Sequence, residues 1–217
     1  MRIKVTGNII EDEKTIRGNY NHEIYSMILS NLNTKTSKEI HKKERFKRLF
    51  TFSDLYIDEG IVHLYISGKD ELIKDFIDNI VFNQIVKIGD KVIVITNITP
   101  IQSELEEKDY YIFKTKFIVN EKENNKVCLS KNNEYIKRRI SEIINDKYED
   151  MYGVRLDLGL DVELLKMKHV YTNYKNHHLN SYKALIKVSG NLKLINALYN
   201  LGIGENTASG HGFVWEV

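Results

Sequence analysis

The sequence predicts an α+β chain made of two tandem βαββαβ units, and three observations carry that prediction. Alternating apolar runs of strand length recur between segments with helical periodicity. The order strand, helix, strand, strand, helix, strand occurs once before the single proline, Pro100, and once after it. No low-complexity linker interrupts the 217 residues. This split βαβ order is that of the ferredoxin-like unit, so the division expected is 1–99 and 100–217.

In the first unit a strand is expected at 2–10, followed by a helix at 21–32 with Ile24, Met27, Ile28 and Leu32 on one face. Strands at 49–57 and 61–67 alternate apolar and polar residues on either side of Asp58, Glu59 and Gly60, a hairpin-type turn. A helix at 70–82 and a strand at 91–98 complete the unit, with the join near Pro100. The second unit opens with a strand at 110–119, extended by a hairpin to 129, and a helix at 133–152. Strands at 162–174 and 179–190, a helix at 192–201 and a last strand at 213–217 repeat the order.

A composition of 42% hydrophobic and 29% charged residues belongs to an ordinary globular protein rather than a disordered one. No apolar run approaches the ~20 residues of a membrane-spanning helix. The opening MRIKVTGNII lacks the apolar core and cleavage site of a signal peptide, so a cytoplasmic location is expected. Cys128 is alone and cannot form an internal disulfide; within the alternating VCLS it reads as a structural thiol. His169, His177, His178 and His211 come without an HxxxH pair, a zinc-type cysteine pair or a dense carboxylate cluster. Adjacent strand residues such as His177 and His178 point to opposite faces, so neither a metal nor another cofactor is expected. No GxSxG elbow offers acyl transfer.

The net charge of +2 conceals a segregated distribution. Between Lys35 and Arg48 there are seven Lys/Arg against two Glu, and between Leu164 and Gly204 six lysines, three histidines and no acid. Two such segments on one surface suit a polyanion, although the first alone equally fits a solvated helix face. In the second, Tyr171, Tyr174 and Tyr182 interleave with Lys168, Lys175 and Lys183, and aromatics among cations suit stacked bases beside phosphates.

Near the C-terminus GIGENTASGHGFVWEV spaces Gly202, Gly204, Gly210 and Gly212 in one loop after the last helix. Gly202 fits a helix C′ position, and the others could serve a tight return. Four glycines after a lysine-rich segment also fit a loop whose backbone amides surround phosphate oxygens. The pattern is neither a Walker motif, which needs Lys followed by Ser or Thr, nor a Rossmann fingerprint, which opens a helix.

The full GxGxxxxxGxG spacing at the end of a double ferredoxin-like chain resembles the glycine-rich loop of the repeat-associated RAMP superfamily. More narrowly, the chain resembles the sixth Cas family, the endoribonucleases that cut precursor CRISPR RNA within its repeats. YNHEIYSMIL followed by SKEIHKKERFKRLFTFS is similar to that family's helix with a tyrosine, its nearby histidine, and a basic residue before a Leu-Phe-Thr strand. The resemblance implies metal-independent cleavage, in which the 2′-hydroxyl attacks the adjacent 3′-phosphate. A base, an acid and positive charge are needed. It points to His41 for acid–base work, in a short helix that a TSKE capping box at 36–39 would open, and to Tyr25 for orienting or deprotonating the hydroxyl. Lys47 keeps the usual distance from the histidine, while Arg48 directly precedes the Leu-Phe strand; either could meet phosphate charge. His22 is the competing histidine, and Tyr25 between Ile24 and Met27 also fits a core-edge residue. CRISPR repeat RNA is the implied partner, with interference-complex subunits and a second copy of the chain as further candidates. The alternative is a non-catalytic RAMP subunit that holds guide RNA, and a third reading keeps a general RNA-binding module.

Overall fold

The computed structural model describes every residue except 12–14, 17–19, 43–48, 124–125 and 175–176, together with the side chains at 41–42, 123, 172–174 and 177–178. Lys47, Arg48 and Lys175 therefore lie outside the described residues, as do the side chains of His41, Tyr174, His177 and His178.

The first unit runs β1 (Arg2–Ile9), α1 (Asn21–Ser30), α2 (Thr34–Lys42), β2 (Phe50–Phe52), β3 (Tyr56–Asp58), β4 (Ile61–Gly68), α3 (Asp70–Asn79), β5 (Ile85–Ile88) and β6 (Lys91–Ile101). The second runs β7 (Tyr111–Phe117), the hairpin β8 (Asn120–Glu123) and β9 (Lys126–Leu129), α4 (Asn133–Tyr152), β10 (Leu160–Tyr174), β11 (His177–Gly190), α5 (Leu192–Leu201) and β12 (Val214–Glu216). The first sheet is ordered β2-β4-β1-β6-β5 with β3 beside β4, and the second β10-β11-β7-β12. In each, the opening strand lies between the unit's third and last strands, which is the ferredoxin-like arrangement expected.

Alternation along the strands gives each sheet one apolar face for its helices. Ile3, Val5, Leu64, Ile66, Phe50 and Phe52 are buried against Ile24, Ile28, Ile73 and Phe76 in the first unit. Phe113, Phe117, Ile186, Val188 and Val214 are buried against Ile136, Ile140, Leu194 and Leu198 in the second. Among the described residues, His63 and Tyr65 on the first sheet and Lys114, Lys116 and Lys183 on the second alternate with these and take the other, open face. Among the described residues no helix is long and apolar enough to cross a membrane.

Several element boundaries differ from expectation for identifiable reasons. The strand expected at 49–57 is broken after Phe52, because Ser53 turns its hydroxyl to the amide of Tyr65 at 3.1 Å. α1 ends two residues early, where the Asn31 side chain folds back onto the carbonyl of Met27 at 2.9 Å. α2 is opened by Asn33, whose Oδ1 accepts the amide of Thr36 at 2.9 Å, so Thr36 is inside the helix and not its cap. α3 stops at Asn79, and β5, which the sequence reading missed, pairs with β6. β6 continues through Pro100, opposite Ile3, to Ile101, so the connection between units follows the proline. The extension expected beyond β7 is the separate hairpin β8–β9.

Candidate nucleic-acid interface and acid–base site

The glycine loop lies where the two units meet. Gly202, Gly204, Gly210 and Gly212 all have positive φ, between 73° and 101°. At Gly204 a Cβ would collide with the carbonyl oxygen of Ile118, and at Gly210 it would come within 2.7 Å of the Phe52 ring and the Asn21 amide. The amide of Gly202 donates to Leu198 O at 2.9 Å, that of Gly210 to Thr207 O at 3.1 Å, and that of Gly212 to Lys116 O at 2.5 Å. For these three glycines this revises the expectation that the amides surround phosphate, because they are already paired. Small residues are required at Gly204 and Gly210 because Ile118 of the second unit and Phe52 of the first press on the loop.

The loop also touches the segment expected to carry acid–base chemistry. Asn21, opening α1, donates from Nδ2 to Ser209 O at 3.0 Å, and Thr51 of β2 donates from Oγ1 to His211 O at 3.4 Å. One turn along α1, Tyr25 is half-buried with its ring stacked on Phe50 of β2, centroids 6.1 Å apart and planes 9° from parallel. Tyr25 and the loop thus share β2 as a support. His41 occupies the last turn of α2, beside the buried Ile40 that fixes that helix to the core. His22 lies half-buried in the first turn of α1.

His211 is one of the four histidines for which the sequence favours phosphate or base contact over a metal. Its side chain is 0% exposed, and neither ring nitrogen closes a well-formed hydrogen bond. Burial drives its pKa down to about 4; the Lys116 charge acts in the same direction, while Asp54 and the Ser209 backbone oppose it. It is therefore a neutral imidazole in the joint at neutral pH. Over it, Lys116 of β7 forms an ion pair with Asp54 of the first unit.

The open face of the second sheet presents the positive charge. In the cross-strand register Lys168 of β10 lies opposite Lys183 of β11, and Lys183 lies opposite Lys116 of β7, a row of three lysines. The neighbouring row is Lys166, Leu185, Lys114 and Trp215. Lys187 follows, its ammonium 4.7 Å from the Tyr110 ring centroid and 3.6 Å from Glu163. Tyr65, on the open face of the first sheet, meets Trp215 edge-on at 4.4 Å, so the two open faces join. The first sheet adds Tyr56 stacked with His63 at 6.0 Å. Directly opposed like charges cost stability, about 0.2–1 kcal/mol a pair. Lys116 has its counter-charge in Asp54, but the exposed and directly opposed Lys168 and Lys183 fit a surface whose counter-charge is supplied from outside. Of the sequence candidates, Lys168 and Lys183 are in this row. Lys114, Lys116 and Trp215 were missed, because only the β11–β7 and β7–β12 registers bring them there.

Comparison with known proteins agrees with this architecture. The family model of CRISPR associated protein Cas6, C-terminal, matches residues 82–215. The CRISPR-associated endoribonuclease Cas6 1 of Methanocaldococcus jannaschii is 26% identical, over 91% of this chain and 87% of its own length. The putative CRISPR-associated endoribonuclease-like protein Cas6 of Pyrococcus furiosus is 25% identical, over 99% of this chain and 98% of its own. Among solved structures, a Cas6-related protein of Pyrococcus furiosus superposes with a TM-score of 0.86 at 23% identity, covering 100% of this chain and 98% of that one. With its glycine loop seated between two ferredoxin-like units and the family match spanning most of its length, the chain belongs to the Cas6 family.

Proposed function

We propose that the chain is a metal-independent endoribonuclease that binds CRISPR repeat RNA and cuts precursor CRISPR RNA within the repeat. The row Lys168, Lys183, Lys116 is the observation that carries the binding half of this reading: Lys116 is paired with Asp54, but among the described residues Lys168 and Lys183 have no carboxylate partner, and charges fixed side by side by a sheet suit successive phosphates. Trp215, Tyr65 and the Tyr56–His63 pair offer apolar rings for bases beside that charge. Residues 1–99 supply the acid–base candidates and residues 100–217 most of the basic face.

In the reaction proposed, the 2′-oxygen bonds to phosphorus as the bond to the 5′-oxygen breaks, leaving a 2′,3′-cyclic phosphate and a 5′-hydroxyl. Tyr25, held by its stack on Phe50, orients or deprotonates the attacking hydroxyl, and His41 exchanges protons with the reacting oxygens. Lys47 or Arg48 offsets the charge of the transition state. The relatives named endoribonucleases support this reading, at about 25% identity.

The test uses purified protein, EDTA and two versions of the repeat RNA from its own genome, one lacking the 2′-hydroxyl 5′ to the cut bond. Cleavage of the natural RNA and intact binding of the uncut deoxy version are expected. Cutting of both would mean that water attacks and would overturn the mechanism. Tight binding with no cutting of either would favour a non-catalytic RAMP subunit.

A further inference from the structure

Arg2 starts in the first unit and ends in the second. With 1% of its surface exposed, it is among the most deeply buried charged residues described. From β1 its guanidinium donates through Nη1 to Tyr199 O at 2.9 Å and through Nη2 to Val214 O at 2.8 Å. The Cζ atom lies 3.7 Å from the Tyr199 ring centroid and 4.4 Å from that of Phe213. Tyr199 precedes Gly202 and Val214 follows Gly212, so one planar group closes the base of the glycine loop from the opposite unit.

Other side chains of the first unit reach the same stretch. Ser67 donates to Asn200 O at 2.6 Å, Asn21 to Ser209 O and Thr51 to His211 O. The last carbonyls of α5 have no helical partner; Arg2 satisfies that of Tyr199 and Ser67 that of Asn200, while Asn21 and Thr51 hold the loop beyond the helix. Lys147 of α4, equally buried, does so from within the second unit, with Nζ 3.2 Å from Leu201 O and 2.7 Å from Gly202 O. The two cations therefore cap the same segment, but only Arg2 joins the units. A lysine at position 2 could not reproduce the fork that spans two separate carbonyls, nor its stacking on two rings.

We propose that Arg2 is a positioning residue that staples the glycine loop to the first unit and so sets α1 and β2, with Tyr25, against RNA held on the lysine face. This rests on the endoribonuclease reading. Small misplacement of reacting groups costs up to about a hundredfold in rate, whereas binding spread over a broad charged face tolerates it.

The test compares Arg2→Ala, Arg2→Lys and Lys147→Met in single-turnover cleavage across RNA concentrations, below each protein's melting temperature. Both Arg2 variants should lose about tenfold to a hundredfold in saturating rate while half-saturation moves less than about threefold. Millimolar guanidinium should restore part of the rate to Arg2→Ala but not to Arg2→Lys. Lys147→Met should lose thermal stability and keep its saturating rate within about threefold. An unchanged saturating rate in Arg2→Ala, or an equal loss in Lys147→Met, would overturn the proposal. If the wild-type protein cuts no RNA, the endoribonuclease reading fails first. The staple is then tested by the distance between spin labels at Lys38→Cys and Lys193→Cys, in a Cys128→Ser background. Arg2→Ala should broaden that distribution, and an unchanged one would refute the staple.

Discussion

Acidification should loosen the joint between the units through His211. Its imidazole is fully buried, and its folded pKa of about 4 lies below the ordinary 6.5 because burial, and then the Lys116 charge, disfavour the cation. In the unfolded chain the ring takes up a proton near pH 6.5; in the folded protein it does so only near pH 4. The unfolded state therefore binds more protons in between, and stability falls as pH drops through that window. The contribution is fully present above about pH 7, has fallen by about 2.5 kcal/mol at pH 4.5, and reaches a limit of about 3.4 kcal/mol below the folded pKa. Carboxylates titrate over part of the same range, so the measurement is a difference. Urea unfolding of the wild type and of His211→Gln is followed at pH 7.5 and pH 4.5. The wild type should lose about 2 kcal/mol more than the variant on acidification. Equal losses would show that His211 is not held neutral by the joint.

Three further outcomes are expected. His41→Ala should slow single-turnover cleavage about a hundredfold or more and leave repeat affinity within a few fold, because a general acid–base group contributes ~10²–10⁴ in rate; full activity would move the role to His22. Gly204→Ala should lower the unfolding free energy by roughly 2 kcal/mol or more, from left-handed backbone strain and the collision with Ile118 O, as read by denaturant titration; an unchanged midpoint would contradict the packing described. Lys183→Ala should reduce the salt dependence of RNA binding by about 0.7 of a log–log slope unit while leaving thermal stability unchanged or slightly higher, since it removes a like charge from between two others. A lower melting temperature with an unchanged slope would make that lysine structural.

The order of elements was legible because most of them are built from local signals. α4 and α5 begin and end where expected: Asn132 and Asn191 cap their starts, and Gly153 and Gly202 follow their ends with φ of 74° and 75°. The misses are tertiary in origin. Ser53 breaks a strand only because Tyr65 is across from it, and β5 is a four-residue edge that β6 recruits. The four glycines were visible, but their purpose depends on Ile118 and Phe52, which belong to segments remote in sequence. Arg2 at the head of a strand gives no local sign that its charge will be buried in the other unit.

Lys116 shows how the lysine face and the joint are one construction. Its carbonyl accepts the amide of Gly212, its side chain ends the lysine row, and its ammonium pairs with Asp54 of the first unit above the buried His211. Its charge already has a carboxylate partner in the free protein, whereas Lys168 and Lys183 face each other across the sheet. A partly exposed pair of this kind is worth at most about 1 kcal/mol, so a phosphate can compete for Lys116 without dismantling the joint. The uncompensated part of the row is thus at its β10–β11 end, and a phosphate backbone relieves the most repulsion by lying there, where the sheet holds two lysines directly opposed. Tyr25 and the glycine loop, by contrast, are fixed at the β2 side of the joint. An RNA that binds and is cut as proposed, on the lysines and beside Tyr25, must therefore cross from one unit to the other, and the contacts that hold the units in register bear directly on where its backbone would meet the proposed acid–base residues.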